Sequence, residues 1–252
     1  MATKLKGAFL SITNKCNLNC RHCYQKTAPK NELKTQEWLR ITDELKKLGA
    51  EKINFTGGEP FVHKDFWKIL DYACKKGFET EVFTNGTLLD EKKIRKLEKY
   101  RTALSFNLET LDKKAADLCK KHKIAFEINI PVTKKNVGDI ENILKFCRKI
   151  GARRARLIPL VLEGNARNFG KEKPSKGQIN KLNAIIKKYP YATLCCKKCG
   201  AGINYLTIQS DGKVTPCTLN RNIVGDIKNQ PLSEILENSR KYGRKFNRAC
   251  LR

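Results

Sequence analysis

Short runs rich in β-branched and aromatic residues alternate along the chain with longer stretches of helical periodicity. Ala8–Ile12 reads as a first strand. Between Thr35 and Leu48, Trp38, Leu39, Ile41, Leu45 and Leu48 fall on one helix face, and Gly49 stops the run. Lys52–Thr56 is a second strand, followed by a helix over Phe66–Lys76. Glu79–Thr84 is a third strand with an Asn85-Gly86 turn behind it. Asp90 is a suitable N-cap for a helix running to Lys99. Further strands fall at Ala103–Asn107, Ala125–Pro131 and Arg156–Leu160, and a helix over Val137–Ile150 separates the last two. Six strands alternating with helices over residues 8–162 predict a parallel sheet with right-handed crossovers. The expected class is α/β, a partial (β/α)6 TIM-like barrel, in which chemistry gathers at the C-terminal ends of the strands.

The pattern changes after the sixth strand. Residues 163–178 are polar and glycine-rich and read as a boundary, with a short helix over Gln178–Lys188 behind it. Tyr205–Gln209 and Lys213–Thr215 flank Ser210-Asp211-Gly212, the turn chemistry of a β-hairpin. A final helix is expected over Pro231–Lys241. The predicted division is a core over 1–165, a linker and helix over 166–190, and a small β-hairpin plus helix module over 191–252.

Composition narrows the class. Hydrophobic residues make up 40% of the 252, which fits a folded protein rather than a disordered one. No apolar run approaches the roughly 20 residues that span a bilayer, and Met1–Lys6 has no apolar signal-peptide core, so the expectation is a cytoplasmic protein without a membrane partner. The formal net charge is +27. The bases are spread as doublets such as Lys46-Lys47, Lys92-Lys93 and Lys120-Lys121, which is the pattern of solvated helix faces. Nucleic-acid binding is possible but not favoured, since only Arg240–Arg248 mixes bases with aromatics. The same charge would attract an acidic electron donor of the flavodoxin or ferredoxin type.

Eleven cysteines, an odd number without an export signal, argue against disulfides. Cys74, Cys119 and Cys147 stand singly in helical contexts and read as buried small residues. Cys16, Cys20 and Cys23 instead share one loop directly after the first strand. Three thiolates there can hold three corners of an iron–sulfur cube, which leaves the fourth iron open to a ligand. A zinc knuckle borrowing a fourth ligand is the alternative, although this spacing is unusual for zinc. Gly57-Gly58-Glu59-Pro60 ends the second strand. Its glycines allow close approach to the backbone, and its carboxylate can accept from an ammonium group.

The cysteine loop after one strand and Gly-Gly-Glu-Pro after the next together resemble the radical S-adenosylmethionine (SAM) superfamily. Thr84-Asn85-Gly86-Thr87, Val132–Asn136 and Gly164-Asn165-Ala166 look like the family as well. The resemblance implies that Cys16, Cys20 and Cys23 ligate a [4Fe–4S] cluster whose open iron chelates SAM. It places Gly57, Gly58, Glu59 and Pro60 at the amine of SAM and His22 near the adenine. It also puts Thr84 and Asn85 near the cofactor, and Ser105 and Asn107 at the ribose or carboxylate. On the strand bearing those last two, related enzymes often read Ser-x-Asp-Gly, and this chain reads Ser105-Phe106-Asn107-Leu108. The implied reaction is reductive cleavage of SAM to a 5′-deoxyadenosyl radical that abstracts a substrate hydrogen.

Cys199, Asp211-Gly212 and Pro216-Cys217 resemble the SPASM/twitch extension of the same superfamily, which binds an auxiliary [4Fe–4S] cluster. The implied ligands are Cys196, Cys199, Cys217 and Cys250, with Cys195 as the alternative to Cys196 and a zinc ribbon as the alternative to iron–sulfur. Such enzymes mostly oxidise or cross-link, so the expected reaction is a dehydrogenation or cross-link of a small molecule or peptide. Two other readings compete: a radical SAM enzyme acting on RNA, and a zinc-stabilised basic RNA-binding protein. The second leaves Gly57–Pro60 and the six strand–helix units unexplained.

Overall fold

The computed structural model describes residues 4–25, 31–195 and 199–246, with side chains through 241. In chain order the elements begin β1 (Gly7–Thr13), α1 (Thr35–Lys47), β2 (Lys52–Gly57), α2 (Phe66–Lys75), β3 (Glu79–Thr84) and α3 (Glu91–Lys99). They continue β4 (Ala103–Asn107), α4 (Lys113–Lys121), β5 (Phe126–Val132), α5 (Ile140–Lys149) and β6 (Arg154–Pro159). The last third holds α6 (Lys176–Lys188), β7 (Ala192–Leu194), β8 (Tyr205–Ile208), β9 (Lys213–Thr215), β10 (Gly225–Asp226) and α7 (Leu232–Phe246). All six expected strands are present, and the class is the α/β class expected. The expected caps and turns hold as well: the Asp90 carboxylate accepts from the Lys93 amide, and β8 and β9 pair antiparallel.

The chain forms two compact units, the first from described parts of 1–18, 25–83 and 199–252, the second from 19–24 and 84–198. In the first unit the strand order is β10-β9-β8-β1-β2-β3. The strand β8 lies parallel to β1, with Phe9 beside Thr207 and Leu10 beside Ile208. The C-terminal hairpin therefore extends the sheet that β1 begins. The Leu33 amide donates to the Ser210 carbonyl at 2.7 Å, and the Leu232 amide donates to the Glu44 carboxylate at 3.1 Å, which ties α7 to α1.

The register sorts the side chains of this sheet into two faces. Val214, Ile208, Leu10, Phe55 and Val82 form one row, all at 0% exposure. The next row on the opposite face is Thr215, Thr207, Phe9, Asn54 and Glu81, four of them polar and buried. Strands covered on both faces ordinarily read as continuous apolar runs, and here a buried polar group of this face is met within the protein, Glu81 pairing with Lys52 at 2.6 Å.

The second unit has the order β4-β5-β6-β7, all parallel. Leu104, Phe106, Phe126, Ile128, Ile130, Ala155 and Leu157 make its apolar face. Ser105, Asn107, Glu127, Asn129, Arg154 and Arg156 share the other. Glu127, 1% exposed, pairs with Arg153 at 3.0 Å, with Arg154 at 3.4 Å and with Arg156. Burial alone would raise its carboxyl, but the three arginines more than offset this and hold it below the usual 4.5. Cys119 and Cys147 are buried as expected, and burial pushes their thiols up to about 12 and about 11. Cys74 is half-buried, against Thr80.

The segment expected as a linker carries two 3-10 turns, Gly164–Asn168 and Gly170–Glu172. The following helix starts earlier than expected, at Lys176, because Ser175 and Gln178 form a reciprocal capping box.

Candidate active site

In the first unit the C-terminal ends of β1 and β2 are fastened together. The Gly58 amide donates to the Thr13 carbonyl at 2.7 Å, and the Glu59 amide donates to the Lys15 carbonyl at 2.9 Å. Gly57 sits at φ +141°, and a Cβ on it would collide with the Thr13 carbonyl. A Cβ on Gly58 would collide with the Lys15 carbonyl. The two glycines therefore admit the first residues of the cysteine loop against the end of β2. Glu32 holds the same residues from the other side, accepting from the Thr13 hydroxyl at 3.0 Å and the Asn14 amide at 2.7 Å. Cys16 follows, exposed, with its sulfur accepting from the Leu18 amide at 3.4 Å. Glu59 is fully buried and accepts from the Phe61 amide at 3.1 Å, in a turn that Pro60 opens.

In the second unit the remainder of the cysteine loop lies under the two 3-10 turns. The Asn165 side chain donates to Asn19 Oδ1 at 2.8 Å and to the Cys20 carbonyl at 3.0 Å, and its amide donates to the Cys23 carbonyl at 2.9 Å. Cys20 and Cys23 are half-buried. His22 is clamped between two carboxylates, Nδ1 at 3.0 Å from Glu109 and Nε2 at 3.2 Å from Glu172. Glu172 also takes Arg21 at 3.1 Å and Lys135 at 3.6 Å. Desolvation pushes its carboxyl up, but the His22 bond and the charges of Lys135 and Arg21 win, so it titrates below the usual carboxylate range. Phe169 packs edge-on to His22 at 5.2 Å, and Arg21 lies over the same ring at 4.7 Å.

Ser105 is buried and accepts from Asn129 Nδ2 at 2.8 Å. Asn129 Oδ1, also buried, has no hydrogen-bond partner among the described residues, so this pair presents an unmet acceptor for a ligand donor. Asn107 Oδ1 accepts from the Glu109 amide. Thr84 and Asn85 bond to Gly86 and Thr87 within their own turn. Glu32, Glu109, Asn129 and Glu172 escape sequence reasoning, because each acts on a residue distant in the chain, whereas Asn165 falls in the family-like Gly164-Asn165-Ala166 without its partners being legible.

The third cysteine region belongs to the first unit. The Gly202 amide donates to the Pro216 carbonyl at 3.2 Å, which joins the segment after Cys199 to the one before Cys217. The Cys199 sulfur accepts from the Ala201 amide at 3.4 Å, and the Cys217 sulfur from the Asn220 amide at 3.2 Å. Backbone amides aimed at sulfur stabilise thiolate character, as iron–sulfur ligands require. Cys195 lies in the second unit, its amide bonded to the Leu157 carbonyl at 2.8 Å. Cys196 and Cys250 lie outside the described residues. Among the described residues no three His, Cys, Asp or Glu side chains converge on a single metal ion. A cubane takes one thiolate at each corner, so its ligands need not converge as those of one ion do. The amide-bonded sulfurs and the unmet Asn129 acceptor fit such a cluster and its cofactor.

The chain belongs to the radical SAM superfamily, which it matches over residues 10–164. Residues 187–251 match the SPASM iron–sulfur cluster-binding domain. Its cofactors are thus a [4Fe–4S] cluster with SAM, and auxiliary iron–sulfur in the C-terminal domain. The subtilosin biosynthesis protein AlbA of Bacillus subtilis is 28% identical over 84% of this chain and 54% of its own length. The chain thus spans about half of that relative. An AdoMet-dependent heme synthase of Methanosarcina barkeri is 26% identical over 90% of this chain and 81% of its own. In fold the chain is similar to Streptococcus suis SuiB bound to precursor peptide SuiA, with TM-score 0.78, 18% identity, and coverage of 95% of this chain and 66% of that one. Among the described residues no helix is long and apolar enough to cross a membrane.

Proposed function

We propose that this enzyme oxidises a peptide or small molecule, by dehydrogenation or cross-linking, with Cys16, Cys20 and Cys23 holding the SAM-binding cluster. The observation carrying this reading is the Gly202-to-Pro216 bond that joins the Cys199 and Cys217 segments, with the Ala201 and Asn220 amides donating to the two sulfurs. Those two cysteines, with Cys196 and Cys250, would hold the auxiliary cluster. When bound, the first cluster and SAM supply one-electron cleavage and hydrogen-atom abstraction.

When bound, the auxiliary cluster would supply an acceptor for the one electron left on the substrate after a hydrogen atom is removed, and a base would take the accompanying proton. The net change is a two-electron oxidation, which is why an auxiliary electron acceptor suits this class. Gly57, Gly58, Glu59 and Pro60 would hold the amine of SAM. His22, clamped by Glu109 and Glu172, would stand near the adenine. Ser105 and Asn107 would serve the ribose or carboxylate, with Thr84 and Asn85 nearby.

Relatives support both substrate classes: SuiB binds a precursor peptide, and the Methanosarcina relative is a heme synthase. The charge of +27 supports an acidic flavodoxin or ferredoxin as reductant, in a cytoplasmic setting.

The test is anaerobic reconstitution with iron and sulfide, reduction, addition of SAM and detection of 5′-deoxyadenosine. Its formation supports the reading. Its absence from iron-loaded, reduced protein, both alone and with candidate peptides and porphyrins, counts against it.

A further inference from the structure

Arg221, which follows the Cys217 turn, takes no part in holding SAM or either cluster. Its guanidinium holds two buried glutamines, both in the first unit. One terminal nitrogen donates to Gln25 Oε1 at 2.6 Å and the other to Gln209 Oε1 at 3.0 Å. The Gln25 amide in turn donates to the Ser11 hydroxyl at 3.3 Å. The Gln209 amide donates to the Thr215 hydroxyl at 3.0 Å, which donates to the Cys217 carbonyl at 3.1 Å. Gln25 and Gln209 are 8% exposed, Ser11 1% and Thr215 2%.

Each glutamine spends both ends of its amide, so the network fixes the orientation of both side chains. One arm reaches β1 and the residue through which the first cysteine loop returns, two positions after Cys23. The other arm ends on Cys217. The planar fork sets two separate nitrogens on the two acceptors, whereas a lysine carries all its donors on one nitrogen. Both of these acceptors are neutral amides, so neither cancels the guanidinium charge. A fixed positive charge beside an iron–sulfur cluster favours its reduced, more negative state.

We propose that Arg221 is a positioning residue that ties the Cys217 turn to β1 and to the return of the first cysteine loop. Its charge raises the reduction potential of the auxiliary cluster. The proposal rests on Cys217 being a ligand of that cluster.

The experiment is a potentiometric titration of the reconstituted full chain, followed by electron paramagnetic resonance. The signal lost in Cys217→Ala defines the auxiliary cluster. Arg221→Gln removes the charge. Gln25→Glu leaves the arginine in place but neutralises it with a carboxylate, and an Arg–carboxylate pair there keeps the fold. Both variants are expected to lower the auxiliary potential by at least the equivalent of tenfold in the reduced-to-oxidised ratio, about 59 mV for one electron. Arg221→Lys is expected to stay closer to the parent. An unchanged potential in loaded Gln25→Glu protein overturns the proposal even if Arg221→Gln fails to load. If Cys217→Ala loses no signal, the ligand reading falls and the proposal falls with it.

Discussion

The Glu59 amide donates to the Lys15 carbonyl at 2.9 Å, so the second conspicuous motif of the sequence is bonded to the entrance of the first. With the Gly58-to-Thr13 bond, this fixes where the chain leaves β1 and begins to present Cys16. The two motifs are one structural object, and the glycines serve the backbone contact before they serve any ligand.

Gly58→Ala should therefore injure the cysteine loop first. Its methyl group would meet the Lys15 carbonyl, backbone that has no side-chain freedom to yield. The expected cost is about 1–3 kcal/mol of local strain. The expected result is a protein that folds but loads less iron, with the loss confined to the cluster that binds SAM. Iron analysis beside circular dichroism checks this, and full iron content would refute it.

Cys16→Ala, Cys20→Ala and Cys23→Ala should each abolish 5′-deoxyadenosine formation. Cys217→Ala should lose iron yet still cleave SAM, without oxidised substrate. Chromatography of the nucleoside and iron counting separate the two groups. Nucleoside formation at the parent rate in any variant of the first group would sink the ligand assignment.

Asn129→Leu should weaken SAM binding by about tenfold, in line with a lost hydrogen bond worth roughly 1–1.5 kcal/mol. The motive is the buried Oδ1 that has no partner among the described residues. Equilibrium binding of SAM to loaded protein measures it. Unchanged affinity would mean that this oxygen does not face the cofactor.

Glu127→Gln should destabilise the fold by about 3 kcal/mol, because it leaves clustered guanidinium groups without their carboxylate. The lower end of the usual range applies, since Arg153 and Arg154 are 57% and 47% exposed and screened by solvent. The folded carboxyl titrates below its unfolded value of 4.5. Its contribution is therefore complete above that pH and fades as pH falls toward the folded value. Urea unfolding at pH 7 and near pH 3 should show the gap between parent and variant narrowing in acid.

The strands and most helices were legible because the register keeps Leu10, Phe55, Val82 and their neighbours on one face, a pattern carried by local sequence. The helix α4 is legible only as the helical context of Cys119, without bounds, since only Ala115, Ala116 and Cys119 bury among its nine residues. The strand β7 is three residues long and owes its existence to pairing with β6. The cysteine loop could be read from spacing alone. The contacts that support it could not, because Asn165 and Glu172 lie about 150 positions from Cys20 and His22; Asn165 stands out only within the family-like Gly164-Asn165-Ala166, and Glu172 lies in a polar segment that resembles an ordinary connection.

The parallel pairing of β8 with β1 also sets a timetable for making the protein. The strand β1 starts at residue 7 and β8 at residue 205, so β1 gains this neighbour only after every residue between them has been translated. At ordinary elongation rates that interval is about 10–40 s. The second unit draws on 84–198, an almost unbroken stretch, and is all synthesised before β8 exists. Its contacts are closer in sequence and form with less loop closure. The first unit finishes last, and with it the seating of Cys16 and Cys217. Both sites are thereby completed only after the residues of the second unit have been made.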